Sequence, residues 1–301
     1  MADYTIAAST FSQFWEIATA ELNATLTEML FYGVLLVLVA FALNLLVRRR
    51  AAGGPILLIA TCLMFLLATV QFIARILASQ KAFDVLYLAV EGQFASNSAL
   101  ARNAAAQNLA LNFVEDVLLV TNNIVTDGML IYRCFLIWER NYYAVAAPAI
   151  LLFVSSILSY LAAYEGDYPT AAGPTVDLRF GFALSVLTNI VLVGLTAGRI
   201  LFTRRKAQIA GMHRQVLERY NTATAMVLES GGILCAWVIV YVILRSISPP
   251  TVWRVFRGGM AQILNIVPTL IVVRVGLGHS MSGSDSTLKG SQRGEKTATS
   301  V

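Results

Sequence analysis

Seven apolar stretches, each about 20 residues long, constrain the fold of this chain more than any other feature. A helix that rises 1.5 Å per residue needs about 20 residues to cross a hydrocarbon core about 30 Å thick. Because lipid cannot hydrogen-bond to open backbone groups, stretches of this length and composition fold as membrane-spanning helices. The predicted helices cover residues 29–47, 55–76, 113–138, 142–163, 180–201, 223–244 and 258–277. We therefore expect an all-α, polytopic membrane bundle of seven helices.

Composition supports the membrane assignment and excludes other classes. The chain is 57% hydrophobic and 13% charged, whereas soluble domains carry about 25% charged residues. The net charge of +5 resides in short basic clusters beside apolar runs, so it does not predict nucleic-acid binding. The cysteines Cys62, Cys134 and Cys235 all lie in apolar runs, which predicts free thiols. We expect neither a metal site nor a cofactor.

The distribution of lysine and arginine predicts the orientation. With the N-terminus outside, fifteen of the 22 basic residues lie on the inner side and seven on the outer side, as the positive-inside rule requires. Residues 1–28 are then an extracellular segment with a possible glycosylation site at Asn23, followed by Ala24 and Thr25. Residues 29–277 form the transmembrane domain. The polar residues 278–301 are expected to be a disordered cytosolic tail.

Two connecting segments are long. In residues 79–107, apolar side chains recur at helical spacing, which fits either an amphipathic helix over the mouth of the bundle or a continuation of helix two. On the inner side, helix five is expected to extend into the cytosol with Arg204, Arg205 and Lys206. This basic cluster is either a topology determinant that touches anionic lipid or a docking surface for a cytosolic partner.

The third helix carries an unusual polar load, and we expect the other helices to pack around it. At 100° per residue, Asp116, Asn123 and Asp127 fall in one stripe about 40° wide. Intramembrane polar groups normally face a bundle interior or a wet cavity. Asp127 is about 16 Å from the interfacial Trp138 along the helix and therefore lies near the midplane.

The polar residues of helix three lead to three site hypotheses. Asn123 and Asp127 are expected to form a midplane cluster with two amides of helices five and seven, Asn189 and Asn265. The alternative is that these side chains only join helices by hydrogen bonds.

Nearer the two ends, Glu115 and Asp116 are assigned to a solvated outer mouth. Arg133 and Glu229 lie at equal depth near the inner end and form a candidate ion pair between helices three and six. The alternative is that Arg133 extends to lipid phosphate while Glu229 bonds elsewhere.

Helix seven contains Pro268, which predicts a kink because proline removes a backbone donor. The pair Gly258-Gly259 in helix seven, like Gly231-Gly232 in helix six, is expected to permit close helix approach.

A distinctive motif runs from helix three into helix four. It comprises Thr126-Asp127-Gly128, the run YRCFLIW at 132–138, Arg140-Asn141-Tyr142-Tyr143 and Pro148. This pattern resembles a large group of uncharacterised seven-helix integral membrane proteins of basidiomycete fungi. The resemblance makes Asp127, Arg133, Trp138 and Pro148 signature positions. It brings no established activity with it.

The leading functional hypothesis is a receptor-like sensor that couples an outer or intramembrane ligand, of unknown chemistry, to a cytosolic partner. The topology is similar to that of G-protein-coupled receptors, although Tyr132 stands before Arg133 where an acidic residue would be expected, and helix seven has no lysine for a retinal Schiff base. One alternative is a transporter or channel that moves a proton, a cation or a small solute along helix three. A second is a structural or lipid-interacting protein.

An enzyme is not expected. His213 and His279 both lie in predicted cytosolic segments, so a histidine-based intramembrane site has no ligand or base. The chain is assigned to the plasma membrane or an endomembrane.

Overall fold

The residues that the structure describes fold as seven long helices. The computed structural model describes residues 8–48, 54–91, 99–167, 178–209, 214–249 and 251–274. The helices are α1 (Ala8–Arg48), α2 (Gly54–Val90), α3 (Ala99–Ile137), α4 (Tyr142–Asp167), α5 (Leu178–Ile209), α6 (Arg214–Ile247) and α7 (Thr251–Arg274). All seven are long and apolar enough to span a membrane, and none of the described residues lies in a strand. The protein is therefore an all-α, multi-pass membrane protein, as predicted.

The central helix is α7, not α3. In the apolar 18-residue stretch of α7, 72% of the residues are buried, whereas 33% are buried in the corresponding stretch of α3. Its side chains contribute to three separate core clusters, where they meet Leu35 of α1, Met64 of α2 and Leu234 of α6. The prediction that the other helices pack around helix three is therefore wrong. Polarity identified α3 as an interior helix, but it did not reveal that the less polar α7 is enclosed more completely.

Consecutive helices pack side by side from α1 to α6, and α3 also contacts α5. Small residues permit the closest approaches. A Cβ atom on Gly258 would lie 2.4 Å from the Ala24 carbonyl oxygen of α1, and one on Gly231 would lie 2.3 Å from Val193 Cγ2 of α5. The predicted role of these two glycines is confirmed, whereas Gly232 has nothing within 4 Å.

Helices α1, α2 and α3 are much longer than a bilayer requires. They contain 41, 37 and 39 residues, against the about 20 needed to cross the hydrocarbon core. We call the end of the bundle where α1 begins the outer end, after the predicted topology. The predicted extracellular segment 1–28 is thus helical from Ala8, and helix two continues to Val90 rather than giving way to a separate amphipathic helix. Residues 1–7 and the predicted tail 278–301 lie outside the described residues.

Sequence chemistry explains where several helices begin and end. Pro55 occupies the first turn of α2, where its missing N–H is not needed. The Asn141 side chain accepts a hydrogen bond of 3.0 Å from the Tyr143 N–H and so caps α4. Between α3 and α4, two residues of the connecting turn have left-handed backbone angles, Glu139 with φ 56° and Arg140 with φ 65°. At the inner end, α5 extends to Ile209, as predicted.

Candidate functional site

A buried arginine joins three helices near the outer end. Arg75 of α2 places Nη1 3.0 Å from Glu21 Oε2 and Nε 3.3 Å from Glu28 Oε2, both on α1. Its Nη2 lies 2.8 Å from Glu115 Oε2 of α3. The side chains of Arg75, Glu28 and Glu115 are 5%, 1% and 1% exposed. A guanidinium group offers five donors in a planar fork, so it can serve several carboxylates at once.

The central helix adds two more arginines to this group. Arg254 Nη1 lies 2.8 Å from Glu21 Oε1, and Arg257 Nη2 forms an ion pair with Asp116 Oδ1. Arg254 also contacts the Trp253 ring, whose other cationic neighbour is Arg245 of α6, with Cζ 4.3 Å from the ring centroid. The ion pairs thus connect α7 to both α1 and α3.

Gln262 extends the group inward along α7. Its Nε2 donates to Glu28 Oε1 at 3.0 Å and to the Ala68 carbonyl oxygen of α2 at 3.4 Å. We call the whole set the outer charge network, and its members are Glu21, Glu28, Arg75, Glu115, Asp116, Arg254, Arg257 and Gln262. Because charged groups buried in apolar surroundings require partners, this set determines how α1, α2, α3 and α7 fit together.

A second polar group lies deeper, between α3 and α5. Asp127 is fully buried. Asn189 Nδ2 donates to Asp127 Oδ1 at 3.3 Å, and Asn123 Nδ2 donates to Asp127 Oδ2 at 3.2 Å. Ser185 donates to Asn123 Oδ1 at 3.2 Å. In the part of the chain that the structure describes, no cationic side chain forms a salt bridge with Asp127. These four residues form the Asp127 cluster, in which two amides and the Ser185 hydroxyl surround the carboxyl group.

Asn265 does not join the Asp127 cluster. Its Nδ2 donates to the Ala261 carbonyl oxygen of its own helix at 2.9 Å, and Asn122 Nδ2 of α3 donates to the same oxygen at 3.2 Å. The predicted cluster is therefore wrong in this member. The reason is that α7 lies on the side of α3 that carries Asn122, about 100° around the helix from Asn123.

The assignment of Glu115 and Asp116 to a solvated mouth is also wrong. Glu115 is 1% exposed and Asp116 7% exposed, and each has an arginine partner on a neighbouring helix. The two carboxylates are far from the outer end of the bundle because α3 is long. It continues for about 16 residues beyond Glu115 toward that end.

The predicted ion pair of Arg133 with Glu229 is not formed. Arg274 Nη1 of α7 lies 2.9 Å from Glu229 Oε2, and the Glu229 side chain is 64% exposed. Arg133 is half-buried and has no ion pair with any described residue. The sequence placed the two groups at the same depth, but it did not show that α7 presents a closer arginine to α6.

Two other predicted positions, Asn23 and Pro268, lie on described helices. Asn23 is exposed on α1, and its glycosylation stays a prediction. Pro268 is buried in α7, which is helical on both sides of it, and the bend angle stays a prediction.

The basic cluster of Arg204, Arg205 and Lys206 lies on the inner part of α5. Arg205 and Lys206 are exposed there. Residues 210–213, which connect α5 to α6, lie outside the described residues.

Sequence reasoning missed most of the outer charge network, and two signals would have found it. The chain contains neither glycine nor proline before Gly33, so nothing interrupts a helix that carries Glu21 and Glu28 two turns apart on one face. Similarly, Arg254 and Arg257 are three residues apart and precede helix seven without a break. Both pairs were assigned to segments outside the membrane helices.

The fold and this arrangement of side chains define an integral multi-pass membrane protein whose helices are joined by buried charges. No family model, curated protein or solved structure is significantly similar to the chain. The described residues contain no group of three His, Cys, Asp or Glu side chains placed to hold a metal ion.

Proposed function

We propose that the protein is a receptor-like sensor, which couples an event in the outer half of the bundle to a partner on the inner side. The observation that carries this proposal is the outer charge network, because it ties the central α7 to α1 and α3 through ion pairs and to α2 through a hydrogen bond of Gln262, rather than through apolar packing alone. Buried ion pairs depend strongly on geometry. A ligand that competes for one of these groups would therefore favour a different position of α7.

The contacts of α7 at its inner end support a route to the cytosolic side. Arg274 pairs with Glu229 of α6, and α5 and α6 pack against each other. The inner part of α5 presents the basic cluster of Arg204, Arg205 and Lys206. A continuous chain of contacts from the outer charge network to the inner part of α5 supports coupling between the two ends. The coupling itself is measured by a change in partner binding.

Capture of inner-side partners tests the proposal. The full-length protein is cross-linked in native membranes and purified, and the recovered proteins are compared with those from a chain in which Arg204, Arg205 and Lys206 are replaced by glutamine. We expect a specific partner with the native chain and its loss with the triple variant. The matched control is Lys81→Gln, which removes an exposed charge at the other end of the bundle. Equal recovery from native and triple-variant chains would contradict the proposal.

The Asp127 cluster favours a second candidate, a transporter of protons or cations. A fully buried carboxyl group held only by amides and a hydroxyl relay can exchange a proton or attract a cation. Flux through proteoliposomes that is lost in Asp127→Asn would support this function. Asn preserves the size of the side chain and removes its charge. A flux equal to that of empty liposomes would exclude the transporter.

A further inference from the structure

Two cations of α5 contact the same aromatic ring at the inner end of the bundle. Arg199 Cζ lies 5.9 Å from the centroid of the Phe202 ring, and Lys206 Nζ lies 4.8 Å from it. The three residues share one face of α5, since they are three, four and seven positions apart. Arg199 Cζ is also 5.3 Å from the ring centroid of Trp138 on α3. These cation–π contacts hold both positive charges beside the turn between α3 and α4.

The positive charge at this turn is only partly neutralised. Arg199 Nη2 lies 2.8 Å from Glu139 Oε1, and the Glu139 side chain is 83% exposed. A pair in contact with water contributes little and is easily exchanged. Lys206 and Arg140 are both exposed, and neither forms a salt bridge with a described residue. Three cations thus face one carboxylate among the described residues here, so the surface attracts an anion.

Aromatic side chains place these cations at the level of the lipid headgroups. Trp138 lies at the inner end of α3, and Tyr142 and Tyr143 begin α4 with exposures of 76% and 92%. Tryptophan and tyrosine prefer the boundary between hydrocarbon and water. Phe202 is 49% exposed, and Lys206 follows it by about one turn, or about 6 Å. The headgroup layer is about 5–8 Å thick on each side, so it contains both cations.

We propose that the α3–α4 turn and the inner part of α5 bind one anionic phospholipid of the inner leaflet, with Arg199 and Lys206 paired to its headgroup and Phe202 against its acyl chain. With the predicted orientation, this end faces the cytosolic leaflet, where anionic lipids are concentrated. A lipid suits the site better than free phosphate does, because exposed aromatic rings border the two cations and a lipid covers both. The proposal goes beyond the receptor function, since lipid binding requires no cytosolic protein, although Lys206 belongs to both surfaces.

Competition for a fluorescent phosphatidylserine tests the proposal. The labelled lipid is bound to the purified full-length protein in detergent and is displaced with unlabelled phosphatidylserine, phosphatidylcholine or inorganic phosphate. We expect saturable binding of about one lipid per chain. Phosphatidylserine should displace the label at a concentration about tenfold or more below that of phosphatidylcholine, because only phosphatidylserine has a net negative headgroup. Inorganic phosphate at millimolar concentration should not displace it.

Three variants and a control make the result specific. We expect Arg199→Gln and Lys206→Gln each to weaken phosphatidylserine binding about fivefold, the usual contribution of one basic residue near an anionic surface. Phe202→Leu keeps an apolar side chain but removes the ring, and it should weaken binding about two- to fivefold. The control is Arg48→Gln, which removes an exposed inner charge from the end of α1, a helix that does not pack against α5. It should leave binding unchanged.

Failure of this proposal is distinguishable from failure of the receptor proposal, because the competition assay contains no partner protein. Equal affinity for phosphatidylserine and phosphatidylcholine would overturn the lipid site, and so would displacement of the label by inorganic phosphate. An effect of Arg48→Gln as large as that of Arg199→Gln would also overturn it, by showing diffuse attraction to the basic end. If Arg199→Gln abolished partner capture without weakening phosphatidylserine binding, this face would belong to a protein partner instead.

Discussion

Arg75 is the residue on which three buried carboxylates converge. Replacement by glutamine leaves Glu28 and Glu115 without a cationic partner while filling a similar volume. We expect Arg75→Gln to lower the free energy of unfolding by about 3–5 kcal/mol, the usual effect of removing one partner from a buried ion pair. Chemical or thermal unfolding in detergent measures the change.

The control is Lys81→Gln on the same helix. Its ion pair with Asp84 is solvent-exposed, with side chains 38% and 57% exposed, so we expect a loss of less than about 1 kcal/mol. Equal effects of the two substitutions would mean that the outer charge network does not hold the helices together.

Gly258 matters for a steric reason rather than an electrostatic one. Its missing side chain lets the α7 backbone approach the α1 backbone at Ala24, and an added Cβ would lie 2.4 Å from a carbonyl oxygen that cannot rotate away. We expect Gly258→Ala to destabilise the protein by about 1–3 kcal/mol, as overpacking of a close contact does.

Gly128→Ala provides the comparison, because nothing lies within 4 Å of its added Cβ. Since alanine is the better helix former by about 1 kcal/mol, this variant should be neutral or more stable. Thermal melts of the two single variants, measured side by side, decide the matter. If Gly258→Ala also proves neutral, α1 and α7 are not in backbone contact at this point.

At the scale of elements, the inner ends of α3, α6 and α7 allow a direct test of which helices are paired. A double-mutant cycle with Glu229→Gln and Arg274→Gln should show a coupling of about 0.2–1 kcal/mol, as exposed ion pairs do. The same cycle with Glu229→Gln and Arg133→Gln should be additive. Unfolding free energies of the single and double variants supply both values. Coupling of Glu229 to Arg133 instead of Arg274 would show that Glu229 pairs with α3 rather than with α7.

The turn between α3 and α4 is a second element with a testable feature. Glu139 and Arg140 both adopt left-handed backbone angles, which cost an L-residue about 1–2 kcal/mol each. At Glu139, the ion pair with Arg199 of α5, at 2.8 Å, offsets part of this cost, whereas Arg140 is exposed and forms no salt bridge with a described residue. Arg140→Gly should therefore raise the free energy of unfolding by about 0.5–1 kcal/mol after allowance for the greater freedom of glycine when unfolded. Arg140→Ala, which keeps the unfavourable angle, is the control and should show no gain.

Sequence patterns predicted the elements better than their neighbours. Hydropathy identified all seven helices, because each must satisfy the length and composition that a bilayer imposes. Helical periodicity also predicted that Asp127 lies beside Asn123, since both residues are on one face of the same helix. The prediction that Asn189 joins them relied only on its similar depth in the membrane. Depth failed for Asn265 and Glu229, because it does not specify which faces of two helices meet. The outer ends of α1 and α3 were missed since hydropathy responds to lipid contact, whereas helices continue wherever no residue interrupts them.

At the scale of the whole molecule, the helices extend beyond the bilayer in two directions. From the level of Arg75, α1, α2 and α3 continue for about 13–16 residues toward the outer end, or about 20 Å at 1.5 Å per residue. On the opposite side, α5 reaches Ile209. The outer extension consists of three helices and carries the ion pair of Lys81 with Asp84, while the inner extension carries Arg204, Arg205 and Lys206. The two ends therefore present different charges to the two compartments.

This asymmetry allows the predicted orientation to be tested. Asp84 is 57% exposed on the outer part of α2, and Lys206 is exposed on the inner part of α5. We expect a membrane-impermeant maleimide to label Asp84→Cys in intact cells that display the protein at their surface, and to label Lys206→Cys only after the membrane is permeabilised. The physical reason is the excess of lysine and arginine on the α5 side, which is retained in the cytosol during insertion. The parent chain gives the background, since its cysteines Cys62, Cys134 and Cys235 are free and lie within the helices. Labelling of Lys206→Cys, but not of Asp84→Cys, in intact cells would place the N-terminus inside and would move the proposed partner surface to the opposite side of the membrane.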